Sequence, residues 1–132
     1  MTVKALIGYD VMPGMSHDDY DAWLWDVHVP DLLANPHLER LVFNTVQSSV
    51  ATTSGGATAV DQRFALYRIA EMHFLDFDQY GRYRKWFEDH PIPPDRGPAG
   101  RSDFRFYVLC TVTEVDRPDD AAALAGGIAT ST

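Results

Sequence analysis

Residues 20–30 read Tyr-Asp-Ala-Trp-Leu-Trp-Asp-Val-His-Val-Pro, and the fold turns on how they are read. As a helix, they bring Tyr20, Trp23, Leu24, Val27 and His28 to i, i+3, i+4, i+7 and i+8, a single continuous stripe. A histidine thus lies in line with the face that must be buried. A packed core histidine with one hydrogen-bond partner is one reading. The other is a stripe that lines a pocket, with His28 as a proton-transfer group, because imidazole alone titrates unassisted near neutral pH.

Outward from this stretch, the chain alternates strands and helices. Ser16 is placed to cap the helix, with Asp18 and Asp19 in the first turn where the dipole favours them. The helix spans about 17–33, is weakened at Pro30 and is stopped by Asn35-Pro36. Before it, residues 3–11 alternate as a strand, with Tyr9 and Val11 on the same face as Val3, and Met12-Pro13-Gly14-Met15 forms the turn. After it come a second strand over about 39–47, a Gly-rich loop from Gln47 to Asp61 expected to be flexible, and a third strand over about 63–74. Both faces of that third strand are half apolar, so both are expected to be covered. A second helix covers about 77–89 and a stiff Pro-rich loop runs from Pro91 to Arg101. The last strand covers 103–115. The order is β-α-β-β-α-β, a ferredoxin-like α+β plan with a four-stranded antiparallel sheet and both helices on one face. The other sheet face needs a second layer, and a homodimer supplies it most simply. Residues 1–115 are read as one domain and 116–132 as a loose tail.

Composition narrows the function. The chain has 132 residues and a net charge of −8, with eleven scattered Lys and Arg, which argues against nucleic acid. Its single cysteine, Cys110, excludes an internal disulfide and a Cys-rich metal site. No apolar run approaches the roughly 18 residues of a membrane span and no signal-peptide layout opens the chain, so a cytoplasmic protein with no membrane partner is expected. Neither a phosphate-binding Gly loop nor an H-x-H or H-E-x-x-H pattern is present, so no cofactor and no metal are expected. Three Trp, six Tyr and seven Phe are a generous supply of rings for a cavity or an interface.

The turn Pro13-Gly14-Met15-Ser16, then Tyr20, Trp23, His28 and Pro30, resembles the first helix of the EthD-like group of the dimeric α+β barrel superfamily. Ala70-Glu71-Met72-His73-Phe74 is similar to the Ala-Glu-aromatic strand ending of that group. The resemblance runs in order through residues 3–115 and implies two sheets packed into an α+β barrel. The superfamily includes polyketide cyclases, muconolactone isomerases, cofactor-free monooxygenases and heme proteins, so fold does not choose the reaction. His90-Pro91 also resembles a His-Pro turn of a polyketide-cyclase branch. There a second histidine lies three positions on, where this chain has Pro93, so that acid–base pair does not carry over.

The expected activity is that of a cofactor-independent acid–base enzyme of cyclase, dehydratase or isomerase type, acting on a hydrophobic aromatic or polyketide-like molecule. His28 and His73 are the expected base and acid, meeting at one sheet edge. Tyr9, Tyr67 and Tyr107 are candidate donors to an enolate oxygen, with Asp10, Glu71 and His90 as further supporting groups. Tyr9, Asp10 and His90 are expected at the edge opposite His28. Tyr20, Trp23, Leu24, Val27 and Phe74 are expected to shape the pocket. A cofactor-free monooxygenase and a non-catalytic ligand-binding or accessory protein are the alternatives.

Overall fold

The computed structural model describes residues 2–47, 50–52, 58–60 and 66–120. Its main sheet has four antiparallel strands: β1 (Val3–Val11), β2 (Arg40–Thr45), β5 (Arg68–Phe74) and β6 (Ser102–Thr111), in the order β2-β5-β1-β6. This is the ferredoxin-like arrangement, with β1 and β5 central. Strands β3 (Val50–Thr52) and β4 (Thr58–Val60) pair as a short hairpin inside the stretch expected to be a flexible loop. Residues 48–49, 53–57 and 61 of that loop, and residues 63–65 of the expected third strand, lie outside the described residues.

The helical layer crosses one face only. The first helical segment is α1 (His17–Trp23), a π-helical turn (Leu24–His28) and α2 (Val29–Leu33), joined without a break. Ser16 Oγ accepts the Asp19 N–H at 3.0 Å, the N-cap that the sequence calls for. In the π turn the Val29 N–H reaches back to the Leu24 carbonyl. A proline ring ordinarily collides with the carbonyl four residues earlier, and a widened turn just ahead of Pro30 relieves that crowding. Pro30 therefore loosens the helix rather than ending it. Asn35 stops the segment: buried, it donates to the Tyr83 carbonyl at 3.0 Å and accepts from the His37 N–H.

Helix α3 (Phe77–Asp89) is capped by Asp76, which accepts from the Gln79 N–H at 2.8 Å. Under it Ala5, Met72, Phe74 and Tyr83 form one buried cluster, while Tyr9, Tyr20, Trp23, Leu24 and Ala70 form a second under α1. Strand β5 feeds both, since Arg68, Ala70, Met72 and Phe74 alternate as buried residues.

Among the described residues no helix covers the opposite sheet face. By register Lys4 lies between His73 and Cys110, Leu6 between Glu71 and Val108, and Gly8 between Ile69 and Phe106. Strand β6 ends at Thr111 rather than residue 115, because β1 begins at Val3 and only the Val112 N–H finds a further partner, the Thr2 carbonyl. Residues 113–120 follow without strand or helix, and 121–132 lie outside the described residues. Among the described residues no helix is long and apolar enough to cross a membrane.

Candidate functional site

Between the π turn and the sheet lies a narrow, mainly apolar cavity of about 50 Å³. Ile7, Ala70 and Met72 form its floor from the central strands, Leu41 and Phe43 close it from β2, and Leu24 and Leu32 roof it. Four polar side chains line it: Tyr9, Tyr20, His28 and Ser102. Two of them satisfy each other, since the Tyr20 and Ser102 hydroxyls are 2.7 Å apart. The other two do not. The Tyr9 hydroxyl and His28 Nδ1 are both buried and make no well-formed hydrogen bond among the described residues; Tyr20 and Arg68 lie close enough to Tyr9 to pull its pKa down against the larger effect of burial. A buried polar atom left unpaired costs about 1–3 kcal/mol, so two at one cavity are a costly arrangement for a purely structural core.

The local fold explains how His28 comes to be there. The π turn stacks its imidazole on the Trp23 indole, at 4.7 Å between centroids and 17° between planes. Trp23 is itself fixed, donating from Nε1 to the Arg96 carbonyl at 2.9 Å, with the Arg101 guanidinium 5.2 Å from its ring. Arg96 in turn grips Asp31 at 2.9 and 3.0 Å, tying the Pro-rich loop to α2. Burial lowers the His28 pKa to about 4, with Arg101 adding to the effect and Asp31 opposing it. The imidazole is therefore neutral at pH 7 and keeps one nitrogen free to accept.

Tyr9 stands beside a fixed positive charge. Its register partner on β5 is Arg68, which is buried and held bidentate by Asp21. Arg68 also donates to Thr45 Oγ1 at 2.9 Å, and its guanidinium lies 4.3 Å from the Tyr67 ring centroid. Hydrogen bonding to Arg68 holds the Asp21 carboxyl below its ordinary range. Burial pushes the Tyr9 phenol up, so it stays protonated and able to donate.

The expected His28–His73 pair does not form. His28 is on the helix side of the sheet. His73 alternates with buried Met72 and Phe74 and so faces the other way, where its Nε2 lies 2.9 Å from Glu71 Oε1. Glu71 also accepts from Lys4 Nζ at 3.1 Å and from Asn44 Nδ2 at 2.8 Å, a polar cluster on the unlayered face. A sheet separates the two histidines, and the two-residue period of β5 decides it.

The remaining expected residues divide in the same way. Tyr9, placed by topology at the edge away from His28, lines the same cavity as His28. Asp10 is not at the cavity and accepts the Val11 N–H with its own carboxylate. Tyr67 leaves the face of Glu71 to donate to Asp21 at 2.8 Å and stack on His17. His90 is exposed and stacked on Trp86, and Tyr107 shares a 3.1 Å hydroxyl contact with Tyr80 in an open groove beside α3. Tyr20 and Leu24 line the cavity, and Trp23 supports His28 from outside it. Val27 packs beside the α1 cluster, while Phe74 is fully buried in the α3 cluster. Ser102 and Phe104 were not singled out as pocket residues, and no sequence period points to them. Among the described residues no group of three or more metal-ligating side chains occurs.

No family model matches the chain, and no curated protein does. In structure it is similar to the crystal structure of an EthD family protein from Bacillus halodurans C-125, at 15% identity, over 86% of this chain and 100% of that one, with a TM-score of 0.48. By its own strand order and the helices packed on its sheet the chain is a ferredoxin-like α+β protein.

Proposed function

We propose that this protein is a cofactor-independent acid–base enzyme of cyclase, dehydratase or isomerase type, acting on a small hydrophobic molecule with an enolisable carbonyl or a phenol. The observation that carries this reading is that two residues lining one apolar cavity, Tyr9 and His28, each bear a buried polar atom without a partner, Tyr9 Oη and His28 Nδ1. His28 is the base and Tyr9 donates to the oxygen on which charge develops. A half-buried imidazole with its pKa near 4 is a poor base in the empty cavity. An enolate or phenolate formed beside it is its counter-ion, and that attraction offsets the desolvation that holds the pKa down. Proton transfer is thereby tied to a bound ligand. Arg68, beside Tyr9, biases the same end of the cavity toward developing negative charge.

In the same proposal a second copy of the chain covers the sheet face bearing Leu6, Val108 and Phe106, giving a homodimer. Cytoplasmic location belongs to the proposal as well.

The test uses benzoylacetone, an aromatic diketone with an acidic methylene, in D2O. The protein is expected to speed deuterium uptake at that carbon, and His28→Gln to remove most of the gain, by about 10²–10⁴-fold. Binding of the probe without faster exchange would overturn the enzymatic reading in favour of a ligand-binding or accessory protein. Oxygen uptake with a hydroquinone would replace it with the monooxygenase reading.

A further inference from the structure

Phe104 lines the cavity and is nevertheless 54% exposed. It owes that position to an irregularity in the sheet. Along β1 and β6, Gly8 pairs with Phe106, but Tyr9 pairs with Phe104, and the register shifts between Gly8 and Tyr9. Arg105 is the extra residue of a β-bulge. In a regular ladder Arg105 would oppose Tyr9 and share its face, and Phe104 would lie with Phe106 on the unlayered side. The bulge instead sends the Arg105 guanidinium toward Asp103, at 3.1 Å, and Asp10, at 3.9 Å. The phenylalanine ring is turned to the cavity mouth.

Phe104 is the one exposed residue of the lining; Ile7, Leu32, Leu41 and Phe43 are half-buried, the last two on the other edge strand. Ala70, Met72 and Leu24 are buried in the two core clusters, and Tyr20 is held by Ser102. Phe104 comes from an edge strand, with water on one side of its ring. About 50 Å³ accommodates a few waters, at roughly 10–15 Å³ each, and is tight for an aromatic ring. Something must yield for a ring to enter.

We propose that Phe104, aimed by the bulge at Arg105, is the residue that sets the size of ligand the cavity admits, one-ring compounds being accepted and fused-ring compounds refused. This rests on the reading of the Tyr9–His28 cavity as a ligand site. The ring contributes contact area and exclusion, while Tyr9 and His28 supply the chemistry. Phe104 is thus a specificity-determining residue.

The test compares phenol with 1-naphthol, each carrying one hydroxyl for Tyr9 and His28, by NMR titration of the His28 imidazole. Phe104→Ala is expected to tighten 1-naphthol relative to phenol by about tenfold or more. Phe104→Leu should give a smaller change in the same direction, and serves if the alanine variant folds poorly. Phe106→Ala, two residues away on the opposite face, should leave the ratio unchanged. An unchanged ratio in both Phe104 variants, with phenol still shifting His28, would overturn the gate and leave the site standing. Failure of either compound to shift His28 in the parent and in every variant would overturn the site itself, and the gate with it.

Discussion

Trp23 and His28 are five residues apart in the chain, yet their rings stack at 4.7 Å. Regular α-helical spacing puts residues three and four apart on one side, and the π turn brings in the fifth. Since the Trp23 indole is fixed by the Arg96 carbonyl, the imidazole inherits a fixed orientation from it. The geometry at His28 is therefore built by the backbone, and its consequences can be measured.

The first is the charge of His28. Burial holds its pKa near 4, so in the free protein its ring signals should remain those of a neutral imidazole down to about pH 5. A pH titration followed by NMR of the histidine rings checks this. A midpoint at 6.5 would mean that water reaches the imidazole freely.

Stability should register the same shift. The unfolded chain takes up a proton at His28 near pH 6.5, and the folded protein does so only near 4. Because the folded pKa is the lower one, the unfolded state binds more protons in this window and stability falls as the pH drops from 6.5 to 4. The imidazole is only partly buried, so the loss is about 1–3 kcal/mol. Asp21 and Glu71, with depressed pKa values, contribute fully above their ordinary 3.8 and 4.5 and begin to lose that contribution as the pH falls through those values, beneath the interval from 6.5 to 5. The slope between pH 6.5 and 5 should thus flatten in His28→Gln, measured by urea unfolding at each pH.

Tyr9→Phe removes a buried hydroxyl that has no partner. Truncation of a satisfied tyrosine destabilises, whereas here the unfolding free energy should stay level or rise, by up to about 1–2 kcal/mol. Binding of phenol should weaken in the same variant. A clear drop in Tm would show that the hydroxyl is satisfied in solution.

Asp21→Asn should be costly, because it leaves the buried Arg68 guanidinium without its bidentate carboxylate. The Asp21 side chain is 26% exposed, so the expected loss is about 2–3 kcal/mol, below that of a fully buried pair. Chemical denaturation measures it directly. Asp21→Glu should recover part of it.

The proposed homodimer has its own test. Val108 is 44% exposed near the middle of the unlayered face, and Val108→Asp puts an unpaired carboxylate there. Sedimentation at micromolar concentration should give a dimer for the parent and a monomer for the variant. A monomeric parent would end the proposal.

The sequence carried the element order well. The alternation of β1, the Ser16 cap and the aromatic stripe of α3 are local signals, and the structure follows them almost to the residue. It carried less of the site. His28 and Tyr9 were both visible as candidates, but topology alone put them at opposite sheet edges. That they line one cavity depends on side-chain reach beneath the helix, which no periodicity encodes. His73 was misplaced with respect to His28 because both faces of β5 looked half apolar, and only the pairing with β1 and β2 shows which face the helices cover. Phe104 was hidden most completely, since a bulge inverts the alternation from which its direction would be read.

One further consequence follows from Gly8. A Cβ at that position would overlap the edge of the Phe106 ring, which lies across the glycine on the unlayered face. Residues 8 and 106 thus compete for the same volume, and neither can be varied freely while the other is kept. In a library that randomises both, side chains larger than hydrogen at 8 should survive chiefly alongside small residues at 106. That pattern of joint variation would be a signature of this sheet readable from sequences alone, and it would be silent in every single-site scan.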